Sequence, residues 1–234
     1  MNQPFHLSGR DLFVSASIGI ALYPGDASDV HTLLKHADTA MYRAKEQGRA
    51  AYRFFTSELN QQVQERLLLE TAVRHALERD EFALHFQPQA QLDNGRIIGV
   101  EALLRWQPTG GNPVSPADFI PILEDTGLIL AVGEWVLREA CGWLNRWEQA
   151  GLPVPRVAVN LSARQFQQGA LAQIIADILT ANGLAAERLE LEITESILVE
   201  QAISAPAITE LQALGVRWAI DDFGTGYCSL SYLK

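Results

Sequence analysis

Cysteine is scarce in this chain, with only Cys141 and Cys228 in 234 residues. The two stand too far apart for a zinc or thiol-redox spacing, which excludes a disulfide scaffold and points to reduced thiols in a cytoplasmic protein. Positive charge is also short. Lys and Arg number 18 against 28 Asp and Glu, a net charge of −10. That balance excludes a nonspecific binder of DNA or RNA polymers, which would need a basic surface. The five histidines have no ligand spacing and read as ordinary surface or core residues. No signal peptide opens the chain. Its most apolar helical stretch, Gly127 to Leu144, is interrupted by Glu134, Arg138 and Glu139, so no membrane contact is expected within this segment. Any anchor of a full-length protein would lie in regions N-terminal to it. Low-complexity tracts and tandem repeats are missing as well. What remains is 48% apolar, enough for a substantial core in one large domain or two smaller ones.

The most informative stretch is Ala219-Ile220-Asp221-Asp222-Phe223-Gly224-Thr225-Gly226-Tyr227. An apolar run beginning at Val216 reads as a buried strand, and it stops at two adjacent carboxylates followed by a loop with two glycines. Neighbouring acids repel and resist desolvation unless a cation meets them. A solvated turn after an edge strand would account for this stretch taken alone. The arrangement recurs, however. Arg156-Val157-Ala158-Val159 ends at Asn160, and Leu189-Glu190-Leu191 ends at Glu192, with Glu195 just beyond. Ile97-Ile98-Gly99-Val100 runs into Glu101, and Phe82-Ala83-Leu84-His85-Phe86 delivers Gln87. Strands that finish in acids or amides, separated by helical patterns, have the anatomy of a (β/α)8 barrel, where chemistry gathers at strand C-termini. Period-two parity places Glu192, Asn160 and Asp221 on one face and Leu189, Leu191, Val157, Val159, Trp218 and Ile220 on the other.

Upstream, residues from about Leu12 to Leu22 alternate like a strand. Ser28 or Asp29 can cap a helix striped by Val30, Leu33, Leu34, Ala37, Met41 and Ala44, and Ala50 to Phe55 can return as a strand. Lys45 and Arg49 have a plain reading as a solvated helix end. A long amphipathic helix is expected over 56–81, joining this β-α-β piece to the barrel-like half. The expected division is therefore 1–55, a linker helix over 56–81, and 82–234. In the last segment, helices are expected from Ser115-Pro116 to about Asp125, then over about 129–149, 170–181 and 202–214.

The first segment resembles the C-terminal part of a GGDEF domain, the diguanylate cyclase fold, through Ser17-Ile18-Gly19-Ile20-Ala21 and through Ala37-Asp38-Thr39-Ala40-Met41-Tyr42-Arg43-Ala44-Lys45-Glu46-Gln47-Gly48-Arg49. In that family the positions matching Lys45 and Arg49 contact nucleotide phosphates, which suits two cations four apart on one helix face. The loop that names the family is absent, so no cyclase activity is expected. The last segment resembles the EAL domain, carrying Gln87-Pro88, Glu101-Ala102-Leu103-Leu104-Arg105-Trp106, Asn160-Leu161-Ser162, Glu192-Ile193-Thr194-Glu195-Ser196 and Asp221 to Tyr227 in order. The fold implied is α/β: an incomplete TIM-like (β/α)8 barrel with one antiparallel strand, preceded by the partial GGDEF module and the linking helix.

The activity implied by the resemblance is metal-dependent hydrolysis of cyclic di-GMP to linear pGpG. Glu101, Asn160, Glu192 and Asp221 match ligands of a first cation. Asp222 matches a residue that helps hold a second cation and the attacking water, and Glu195 matches an acid that braces the loop. Gln87, Leu103 and Arg105 match substrate-binding positions. An all-oxygen donor set favours Mg²⁺ or Mn²⁺ over zinc. A cyclic di-GMP receptor that binds without hydrolysing is the alternative, and a second copy of the chain, meeting it through the EAL-type half, is the further partner considered. Read without the resemblance, Glu101 could pair with Arg105, Asn160 could cap a turn, and Glu190 could pair with Arg217. From Phe82 only about 150 residues are present where a barrel takes about 250. The family's catalytic lysine and a later glutamate ligand are missing with the last strands, so this segment is expected to be inactive alone.

Overall fold

Short apolar stretches make short strands in the first part of the chain. Phe5–Leu7 (β1) and Arg10–Leu12 (β2) pair antiparallel. Ile18–Ile20 (β3) pairs in parallel with Tyr52–Phe54 (β4), and helix Val30–Glu46 (α1) connects them. The strand expected over 12–22 is thus shorter than its alternation suggests. Asp29 supplies the cap of α1, its Oδ1 accepting from the Thr32 amide at 2.9 Å. Gly19 allows the close approach of α1 to β3, because a Cβ there would overlap the Ala37 carbonyl and lie 2.9 Å from Met41 Cα. Buried Ala40 and Ala44 serve the same packing from the helix side.

The computed structural model describes residues 5–7, 10–12, 15–46, 49–152, 154–194 and 201–221. The chain forms two units, Met1–Thr71 and Ala72–Lys234. The division falls within helix Ser57–Val73 (α2). The helix expected over 56–81 ends at Val73, eight residues early. At His75 and Ala76 the backbone amides turn to carbonyls three residues back, Ala72 and Val73, and Asp80 takes a left-handed φ of 52°. This tighter path delivers Glu81 to the interior, where its carboxylate accepts from Trp106 Nε1 at 3.2 Å and from the Thr109 amide at 3.0 Å.

The second unit is built on one sheet of five strands in sequence order: Phe82–Ala90 (β5), Ile97–Trp106 (β6), Val157–Leu161 (β7), Leu189–Thr194 (β8) and Arg217–Asp221 (β9). The first pair is antiparallel and the rest are parallel, as the EAL resemblance implies. Helices Pro116–Thr126 (α3), Ile129–Gln149 (α4), Ala163–Phe166 (α5), Leu171–Asn182 (α6) and Gln201–Leu214 (α7) fill the crossovers. Apolar strand residues Val157, Val159, Leu189 and Leu191 are buried, together with Leu137 and Leu144 of α4 and Ile175 and Ile178 of α6. Phe82, Trp106, Phe119 and Trp135 close an aromatic cluster, with ring centroids 5.6–6.3 Å apart. Such burial on both sides of the parallel strands explains their near-continuous apolar runs.

Glu81 ties the start of β5 to the end of β6, since its carbonyl also accepts from the Gln107 amide at 2.9 Å. The amide of Thr109 and the indole of Trp106 hold its carboxyl below the usual carboxylate range. Glu81→Ala leaves a buried indole N–H and a loop amide without acceptors. It is expected to cost about 1–3 kcal/mol in urea unfolding, whereas Glu78→Ala at an exposed position should change it little.

Candidate metal site

Ladder register alone gathers the predicted donors on one face of the sheet. Gln87 lies opposite Glu101 across β5 and β6, and Glu101 lies opposite Ala158 on β7. Asn160, two residues on from Ala158, pairs with Glu192, and Glu192 pairs with Ala219, two residues before Asp221. Residues that face each other or stand two apart share a face. The small side chains of Ala158 and Ala219 leave room above them for the polar ones. Leu103 and Arg105 share this parity and stand about 7 and 13 Å further along β6.

The side chains meet as the register suggests. Asn160 Nδ2 donates to Glu101 Oε1 at 2.8 Å. Glu192 is buried, and Gln89 Nε2 donates to its Oε1 at 3.2 Å. Burial raises the Glu192 carboxyl to about 7, and the carboxylates of Glu101 and Asp221 add to the rise, while Gln89's hydrogen bond opposes it. Three acids from three strands therefore sense one another's charge. Arg105 donates to the Leu104 carbonyl at 2.9 Å rather than pairing with Glu101. The pairing considered for Glu190 with Arg217 is also corrected: Glu190 Oε2 lies 3.1 Å from Arg156 Nε, and Arg217 donates to the Glu187 carbonyl. Arg156 wins because it enters the sheet from the strand before, on the side where Gly99 offers no side chain.

The loop after β7 is held from beneath. Ser162, not Asn160, caps α5, and Gln165 Oε1 accepts from the Ser162 amide at 3.0 Å and from its hydroxyl at 3.1 Å. Gln165 is buried against Gly133 of α4, and Arg164 donates to the carbonyls of Glu124 and Asp125 at the end of α3. Asn160 thus stands on a rigid corner. Gln89, Arg156 and Gln165 escape the sequence reading because none ends a strand; for Gln165 a signal existed, the Ser-x-x-Gln capping box.

The donor set fits a hard divalent cation: all the candidate ligands present oxygen, and like charges accumulate where a cation would relieve them. Among the described residues, no three His, Cys, Asp or Glu side chains form a closed cage. The amides of Asn160 and Gln89 instead donate hydrogen bonds to the carboxylate oxygens. Asp222 and Glu195 lie outside the described residues. Lys45 and Arg49 are exposed, and the helix-face pairing expected of them is not formed, because α1 ends at Glu46 and Arg49 has a left-handed φ of 61°. Burial lifts the Cys141 thiol to about 12, so it is inert. No described helix is long and apolar enough to cross a membrane.

Comparison with known proteins identifies the families that the two parts of the chain resemble. The family profile described as EAL domain matches residues 70–234, and that described as diguanylate cyclase, GGDEF domain, matches residues 1–51. MucR of Pseudomonas aeruginosa, a bifunctional diguanylate cyclase/cyclic di-GMP phosphodiesterase, is 47% identical over all of this chain and 34% of its own length. The cyclic di-GMP phosphodiesterase PdeR of Escherichia coli is 39% identical over 98% of this chain and 35% of its own. The chain thus spans about a third of the length of these relatives. A solved structure of the PaMucR phosphodiesterase in complex with c-di-GMP superposes with a TM-score of 0.67 at 44% identity, covering 71% of this chain and 68% of that one. The EAL enzyme Bd1971, bound to cAMP and cyclic-di-GMP, superposes with a TM-score of 0.68 at 28% identity, covering 89% and 55%.

A raised carboxyl favours the protonated folded state, so its contribution to stability is complete below the ordinary value of 4.5 and is lost as pH rises through about 7. In cation-free buffer, carbon-detected NMR should find the Glu192 carboxyl titrating near 7, and Glu192→Gln should remove that part of the pH dependence of unfolding. A Glu192 midpoint near 4.5 would contradict the crowded geometry.

Proposed function

The chain belongs to the EAL domain family, and on that premise we propose that it supplies the strand-tip half of a cyclic di-GMP phosphodiesterase, hydrolysing one phosphodiester of the cyclic dinucleotide to give linear pGpG. The convergence of Glu101, Asn160 and Glu192, with Asp221 close enough to raise the Glu192 carboxyl, is the observation that carries this reading. Side-chain oxygens of these residues would hold a first divalent cation, with Mg²⁺ or Mn²⁺ suited to the donors. Asp222 is assigned to a second cation and to the water, and Glu195 to bracing the loop.

When bound, such cations neutralise phosphate charge and make water a better nucleophile near neutral pH. The protein's own part is orientation. Gln87, opposite Glu101, offers an amide beside the scissile phosphate, and Leu103 lends an apolar contact further along β6. Arg105 presents a planar fork suited to a second phosphate. Water adds to phosphorus and the ester bond to the 3′ oxygen breaks, leaving a 5′ phosphate and a free 3′ hydroxyl. Lys45 and Arg49 are assigned no catalytic part, as remnants of a nucleotide-phosphate contact. A chain of this kind acts on a soluble dinucleotide in the cytoplasm, and a second copy meeting it through the EAL half is consistent with the reading.

Calorimetry and product chromatography test it. The chain, and any longer product of its gene, should bind cyclic di-GMP more tightly with Mg²⁺ than with EDTA. Glu101→Ala and Asp221→Ala should each abolish the Mg²⁺ dependence of binding and, in a longer product that carries the rest of the barrel, reduce pGpG formation by about 100-fold; the chain by itself is expected to form none. Binding that is indifferent to Mg²⁺, without pGpG from any length of the protein, would favour the receptor reading instead.

A further inference from the structure

Gln89 lies on β5 and Glu192 on β8, three places apart in the sheet. Strands are spaced about 4.8 Å apart, so in a flat sheet these positions would be about 14 Å apart with side chains standing parallel. Their 3.2 Å hydrogen bond therefore crosses the concave side of a curled sheet. Two features make room for it. Pairing between β5 and β6 is irregular between Gln89 and Ala90, and Gly99, the partner of Gln89, leaves a hollow beneath the amide. A Cβ on Gly99 would stand 3.2 Å from Gln89 Oε1 and 2.7 Å from Arg156 Cγ.

The amide is also oriented at a cost. Its Oε1 is buried and has no hydrogen-bond partner among the described residues, while its Nε2 faces the carboxylate. A buried acceptor left unpaired is unfavourable, so the contact to Glu192 is what fixes the amide's direction. A flexible side chain with no role at the carboxylate would turn that oxygen toward a donor or toward water.

We propose that Gln89 is a positioning residue for the cation site, holding the Glu192 carboxylate from across the concave face so that its free oxygen is presented toward Glu101 and Asp221. This inference rests on the cation-site reading above. Gln89 acts through Glu192 and not on the substrate, which separates it from Gln87 two residues earlier. Partners that orient a ligand in this way typically contribute 10–100-fold in metal affinity.

The test is a calorimetric titration of Mn²⁺ into the chain, paired with thermal unfolding in EDTA and with the side-chain amide resonances of Gln89 followed during addition of Mg²⁺. Gln89→Met keeps the length and removes the donor, and it should weaken Mn²⁺ binding about 10–100-fold without a matching loss of thermal stability. Gln89→Glu, which places a further oxygen against Glu192, should lower the unfolding temperature in EDTA and regain it when Mn²⁺ is added. In the unaltered chain, the Gln89 amide resonances should shift as Mg²⁺ binds. If the chain binds Mn²⁺ and Gln89→Met binds it equally well, or if the amide resonances stay fixed, the role assigned to Gln89 is wrong while the cation site stands. Losses of affinity in both variants that only track lost stability overturn it too. A chain that binds no Mn²⁺ at all defeats the cation-site reading itself.

Discussion

Carboxylates on neighbouring strands, brought to one concave face and partly removed from water, are the condition to which the rest of the second unit answers. Glu101 and Glu192 each have an oxygen taken by a side-chain amide, from Asn160 and from Gln89. Glu190, one step lower on β8, is neutralised by Arg156. The difference between these solutions is informative. Where a guanidinium is fixed in place the negative charge is settled, and where only amides stand the charge remains available to something that arrives. Amides can soften the repulsion among acids without cancelling it, because they carry dipoles and not charge. The upward displacement of the Glu192 carboxyl records what is left uncancelled.

The frame around this face is held by buried polar contacts as well as apolar packing. Glu81 joins the entry to β5 with the exit from β6. Gln165 fixes the corner after β7 from a position enclosed against α4, and Arg164 extends that corner to the end of α3. Glu81 and Arg164 reach backbone groups in other elements, whereas Gln165 closes the cap of its own helix while packed against α4. This is the usual economy of a site that must hold its donors steady: the residues that touch a ligand are placed by residues that do not.

The parts legible in the sequence are those governed by local periodicity. Two-residue alternation assigned Asn160, Glu192 and Asp221 to one face, because parity survives whatever the curvature of the sheet. Helix α4 was legible over its full span for the same kind of reason, its bulky residues recurring on one stripe. The contacts that escaped reading depend on curvature or on competition. Nothing within a few residues of Gln89 announces a partner more than a hundred positions away. Glu190 had two arginines within reach of adjacent strands, and only the packing over Gly99 selects Arg156. The early end of α2 escaped because its apolar repeat continues past Val73, while the burial of Glu81 demands a tighter path there.

The antiparallel pairing of β5 with β6 has one more effect. Gln89 reaches Glu192, and Gln87 stands opposite Glu101, from an edge strand that runs against β6 and is joined to it by the short connection 91–96. Side chains on a strand alternate strictly, so a slip of the hairpin by a single residue would exchange Gln87 and Gln89 for Phe86 and Pro88 on the inner face. The length of that connection is therefore as much a part of the chemistry as any acid, and insertions there should be far less forgiving than substitutions.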